Sequence, residues 1–96
     1  CPIGNVAREV ASTHEPLREA TAAVFAGWTA AVSDRLQTAG LDADEANALA
    51  NTIVATIEGG LTLARSRRSC EGLRTTGTHM QHLVADTVAN VCRSGA

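Results

Sequence analysis

His79, His82 and Asp86 stand at i, i+3 and i+7, a spacing that puts two imidazoles and a carboxylate on one helical face. Such a trio could grip a zinc ion, which takes imidazole nitrogen and carboxylate oxygen in sets of four. No fourth ligand stands in register, and a solvated helix face carries the same pattern, so a wet surface and no metal is the reading. Glu58 and Arg65 lie two turns apart on one face, which more often marks a surface or interface charge pattern than an acid/base pair. The three cysteines, Cys1, Cys70 and Cys92, lack metal-type spacing. If one helix carries Cys70 and Cys92 they are ~33 Å apart along it, beyond disulfide reach. Reduced thiols are therefore expected, with a pairing of Cys1 to one of them as the second reading.

No G-x-S-x-G, H-E-x-x-H or C-x-x-C run occurs, and no phosphate-cradling glycine loop. Gly59-Gly60 falls inside a helical pattern. With no nucleophile beside a base, no catalytic residue is assigned, no cofactor is called for, and an enzyme is not expected.

The 96 residues allow one domain at most. Phe25 and Trp28 are the only aromatics, so the core has to be built from Ala, Val, Leu and Ile. Net charge is -2 with a pI near 5.8, and all eight basic residues are Arg. That balance argues against a nucleic-acid footprint on this stretch. No apolar run approaches the ~20 residues that span a bilayer, so no membrane is expected, and no cationic, apolar leader opens the chain, so the expected location is cytoplasmic. The opening Cys1-Pro2-Ile3-Gly4, without an initiator Met, reads as the middle of a longer protein.

The element that must organise these residues is the stretch from Asp42 to Arg68, predicted as one helix of about 26 residues and close to 40 Å. Asp42 is its N-cap and Glu45 completes a D-x-x-E capping box. Arg65, Arg67 and Arg68 complement the dipole in its last turn. One stripe holds Ala46, Leu49, Ala50, Ile53, Ile57, Leu61 and Ala64; a second, of small residues, holds Ala48, Thr52, Ala55, Gly59 and Leu63. Gly59-Gly60 costs roughly 1 to 2 kcal/mol relative to alanines, so something is expected to approach the backbone there.

Ahead of it, a short helix is predicted over 5–12 and a long one over 15–39, stopped by Gly40 at C′. The stripe of the long one is Leu17, Ala20, Thr21, Val24, Phe25, Trp28, Ala31, Val32 and Leu36, with Ser33 and Gln37 on its far side. Arg35 interrupts that stripe, its stem packed on apolar surface and its head in water. The tight Gly40-Leu41 link makes the two long helices an antiparallel hairpin. A last helix is predicted over 71–92, with residues 93–96 frayed. The fold class is all-α, one short and three long antiparallel helices. No β alternation, repeat or linker interrupts it.

Side by side, such helices leave a face uncovered, because small proteins bury only about 60 to 65% of their unfolded surface. Small residues along that face (Ala48, Thr52, Ala55 and Gly59; Thr78, Ala85 and Ala89) would let a partner helix come to ~8 Å. Self-association as an isologous four-helix bundle is the simplest arrangement, with Leu63 flanking the seam.

The order Cys1-Pro2-Ile3-Gly4, Leu17-Arg18, Phe25 with Trp28, Ala39-Gly40, then Ile57-Glu58-Gly59-Gly60-Leu61, Leu63-Ala64-Arg65 and Leu73 resembles the C-terminal domain of TetR-type transcriptional regulators, in the branch around the lincomycin-resistance repressor. The resemblance covers essentially the whole chain. It implies a homodimeric repressor, released from operator DNA by a small-molecule inducer, with a DNA-reading helix-turn-helix ahead of these residues and absent from them. By position, the third and fourth helices would form the dimer bundle, and Thr21, Phe25, Trp28, Ile53 and Ile57 would face the inducer pocket. Core packing is the competing reading for Phe25 and Trp28. Gly60 stands where the pattern has Ala. Two other classes fit less well: a secreted helical hairpin of the ESAT type, whose W-x-G turn is missing, and a small dimeric helical enzyme, which would need acid/base residues that the chain does not offer.

Overall fold

A computed structural model describes residues 1–94, folded as α1 (Pro2–Val10), α2 (Glu15–Thr38), α3 (Ala43–Arg67) and α4 (Glu71–Ser94). The all-α class and the pattern of one short and three long helices are as expected, with no strand among the described residues. None of these helices is long and apolar enough to cross a membrane.

The first helix starts three residues earlier than predicted. Pro2 occupies its first turn, where a missing N–H costs nothing and a fixed φ is already helical. Its end comes two residues early, because the N–H groups of Thr13 and His14 both turn back to the Val10 carbonyl at 3.1 and 3.0 Å. His14 then caps α2, its Nδ1 accepting the Leu17 N–H at 3.2 Å. In the first turn Arg18 grips Glu15 at 2.5 Å, which holds that carboxyl below its ordinary range.

Both turns between long helices are Schellman motifs. After α2, Gly40 (φ 115°) donates to Gln37 and Leu41 donates to Leu36 at 3.0 and 3.1 Å. Leu36 and Leu41, the residues that such a motif brings together, are both buried. Asp42 Oδ1 accepts the Glu45 N–H at 2.8 Å, as the capping pattern requires. At the far end of α3 the left-handed position falls on Arg68 (φ 49°), and Ser69 donates to the Ala64 carbonyl at 3.1 Å. Arg68 is thus the turn itself and not a member of the last helical turn. α4 runs through Arg93 and Ser94, where fraying was predicted; Gly95 and Ala96 lie outside the described residues.

Among the described residues the buried apolar ones are Leu36, Leu41, Ala46, Leu49 and Ala50, backed by Val32, Ile53, Val84, Val88 and Val91. They gather where the α2–α3 turn meets the end of α4. α1 packs on α2, α2 on α3 and α3 on α4. The buried face of α2 is rotated from the predicted stripe. Ser33 is 1% exposed, donating to Asn47 Oδ1 at 2.6 Å and accepting from Gln37 Nε2 at 3.1 Å, whereas Leu17 and Trp28 remain over 40% exposed. Ala46 and Ala50 bring the helix backbones close enough for that polar seam, which satisfies a serine hydroxyl that burial would otherwise penalise.

The resulting slab measures 50 × 32 × 14 Å, with a radius of gyration of 15.5 Å where a compact chain of this length has about 12.5 Å. Its accessible surface is 6489 Å², against about 5,200 Å² for a compact monomer of this mass, an excess of about 1,300 Å².

Leu49→Ala removes one of few large side chains from this core and is expected to cost about 2–5 kcal/mol, read as a lower urea midpoint by circular dichroism. Arg68→Gly relieves a left-handed side-chain clash and is expected to stabilise the chain by about 1 kcal/mol in the same assay.

Candidate functional site

Along the middle of α3 and the first two-thirds of α4 runs a groove of about 450 Å³ with almost wholly carbon walls. Ile53, Thr56 and Ile57 form one wall, and Leu73, Thr76, Met80, Val84 and Ala85 the other. It exists because residues on α4 that would fill it are small. A Cβ at Gly77 would meet nothing within 4 Å, and Ala85 is exposed at the rim. One end is shut by a close contact. Leu73 Cδ1 lies 2.7 Å from where a Cβ on Gly60 would stand, so the approach predicted at Gly59-Gly60 is made to Gly60, which is buried. The alanine of the family pattern would push on the flexible tip of Leu73. At Gly59 a Cβ would find nothing within 4 Å.

The groove is within the about 300–1,000 Å³ typical of small-molecule sites, and like them it is concave and mostly apolar. Of the five residues predicted to face a pocket, Ile53 and Ile57 line it, and Ile57 is 52% exposed. Thr21, Phe25 and Trp28 do not line it. Thr21 is buried with its hydroxyl donated to the Arg18 carbonyl at 2.9 Å, so that hydroxyl is already committed as a donor. Phe25 and Trp28 make an edge-to-face pair, centroids 5.3 Å apart at 90°, a geometry favoured by the ring quadrupoles. Trp28 is 41% exposed, so the pair is not core packing alone.

Leu73, Met80 and Gly77 went unassigned to any site in the sequence. The legible signal was the glycine inside the apolar stripe of α4, which leaves a gap between Leu73 and Met80.

The small residues predicted as a seam are uncovered on α3: Ala48, Thr52, Ala55, Gly59 and Leu63 are all exposed. On α4, Thr78 and Ala85 are exposed and Ala89 is half-buried. Thr52 returns its hydroxyl to the Ala48 carbonyl at 3.0 Å, so this face offers little unsatisfied polarity.

His79 and His82 border an open depression with Arg74, Thr75 and Thr78, and Asp86 is not part of it. Among the described residues no three His, Cys, Asp or Glu side chains come together as a metal site. The three thiols are unpaired, Cys1 half-buried and Cys70 and Cys92 exposed. Two separated pieces of the sequence pattern do meet. Glu58 Oε2 rests 2.6 Å from the place of a Cβ on Gly4, so the glycine of Cys1-Pro2-Ile3-Gly4 makes room for the glutamate of Glu58-Gly59-Gly60.

Residues 1–79 match the family model of the transcriptional regulator LmrA/YxaF-like C-terminal domain. Over 67 residues the chain is 37% identical to the uncharacterized HTH-type transcriptional regulator YxaF of Bacillus subtilis (strain 168), a match covering 70% of this chain and 35% of that protein. The chain thus spans about a third of that relative's length. No solved structure matches. By the family model that covers residues 1–79, the chain belongs to the LmrA/YxaF-like C-terminal domains of TetR-family transcriptional regulators.

Proposed function

We propose that this chain is the effector-binding and dimerisation domain of a TetR-like repressor that a small-molecule inducer releases from DNA. The observation that carries the effector half is the apolar groove between α3 and α4, with Ile53 and Ile57 on its wall. Its volume and its almost wholly carbon walls suit a small, mainly apolar molecule. Phe25 and Trp28, half-exposed on α2, would complete the wall with parts of the regulator that lie outside these residues. Thr21 would support that wall from within, since its hydroxyl already serves the helix.

The dimer half rests on surface. An excess of about 1,300 Å² per copy over the monomer scaling is more than the ~800 Å² that each partner contributes to a standard interface. Ala48, Thr52, Ala55, Gly59 and Leu63 with Thr78, Ala85 and Ala89 would be the seam of a homodimer, their small side chains allowing the close approach of a four-helix bundle. DNA reading belongs to the helix-turn-helix that the relative's name announces, which in this reading precedes the residues described here. A net charge of -2 agrees with a domain that does not itself hold the operator. Regulation of this kind needs no catalytic group and no cofactor, and it would place the protein in the cytoplasm.

Sedimentation of the wild-type chain at micromolar concentration should give a dimer, and Ala55→Arg or Gly59→Arg should give folded monomers. Dimers that persist in both variants would remove the seam from this face. The fluorescence of an apolar probe such as 8-anilinonaphthalene-1-sulfonate should rise saturably with this chain, and Gly77→Leu, which fills the groove, should abolish that rise while leaving the dimer intact. A rise unaltered in a folded Gly77→Leu would refute the effector assignment of the groove.

A further inference from the structure

A second recess, of about 260 Å³, opens between α1 and α3 and shares no residue with the groove. Arg8, Arg65 and Glu58 all line it, with Asn5 and Thr62 beside them and Leu61 as its apolar part. These charges face one space without pairing: among the described residues the ion pair formed is Arg18 with Glu15. Arg8 Nη2 donates to Asn5 Oδ1 at 2.7 Å, which fixes its guanidinium beside the recess. Thr62 spends its hydroxyl on the Glu58 main-chain carbonyl at 3.0 Å, leaving the Glu58 carboxylate to the cavity and to the first turn of α1.

We propose that this recess binds a small zwitterion of amino-acid type, its carboxylate taken by Arg8 and Arg65 and its ammonium by Glu58. Both ends then make charge-assisted hydrogen bonds, which are roughly twice as strong as neutral ones. A simple anion would meet the Glu58 carboxylate, and a simple cation would meet two guanidiniums. The recess falls below the about 300 Å³ at which drug-sized sites begin, which limits the ligand to a few carbons that rest on Leu61.

The test is a ¹H–¹⁵N NMR titration of this chain with L-norvaline, and with propionate and propylamine as probes carrying one charge each. L-Norvaline should shift the amides of Gly4, Asn5 and Arg65 along one saturable curve. Propionate should bind about tenfold more weakly, the equivalent of one charge-assisted contact, and propylamine should leave these amides unmoved. Arg65→Gln should abolish the curve, and Glu58→Gln should erase the preference for L-norvaline over propionate. The fluorescent-probe response of the groove and the dimer should stay unchanged in both variants, so this site and the regulator reading stand or fall separately. Absence of a saturable curve with L-norvaline, or equal binding of L-norvaline and propionate to the wild-type chain, overturns the proposal, and neither result needs a variant to fold.

Discussion

The close approach of neighbouring helices to α3, permitted by residues with little or no side chain, sets the rest of the molecule. Ala46 and Ala50 are wholly buried, and Gly60 is buried beneath Leu73. Where a leucine at such a position would hold two helices apart, alanine and glycine let side chains of the neighbour rest on the backbone of α3. The helical penalty of glycine, about 1 kcal/mol relative to alanine, is offset at Gly60 by the contact with Leu73. Gly59 has no such compensation within this chain, since a Cβ there would meet nothing within 4 Å.

Packing on small residues has a second consequence. A core of Leu36, Leu41, Leu49 and two alanines closes one end of the slab but is too thin to cover all its faces. The uncovered faces differ in character. Between α3 and α4, large side chains at Ile57, Leu73 and Met80 stand around the gap at Gly77 and make a concavity. Along the exposed small residues of α3 the surface has little relief, because Ala48, Ala55 and Gly59 project almost nothing from it. A concavity suits a small molecule and a low-relief helical face suits another helix, which is why the two are given different roles here. Between α1 and α3 the unpaired charges of Arg8, Glu58 and Arg65 make a third, polar environment.

Much of the local structure was legible because its causes lie within a few residues. Asp42 caps α3 through its own side chain, and the positive φ of Gly40 ends α2, both as the residue types require. The start of α1 was misplaced because Pro2 was not read as a first-turn residue. Ser33 and Gln37 lie on the far side of the apolar stripe that the sequence predicts for α2, yet with Asn47 they form the seam between α2 and α3. Polarity predicts exposure only where no partner waits, and the partner of Ser33 is on another helix.

By itself the sequence determined four helices, where most of them begin and end, and a stripe on α3 rich in residues small enough to be approached, because caps, turns and period are local properties. Tertiary structure decided which glycine is covered, that Ile53 and Ile57 share a wall with Met80 while Phe25 and Trp28 stand apart, and that Glu58 meets Gly4 across more than fifty residues of chain. The physical reason is that a helix repeats its pattern every 3.6 residues but does not specify the rotation at which it meets its neighbour. That rotation follows from the summed fit of all side chains at the contact, and it exists only once both helices are in place.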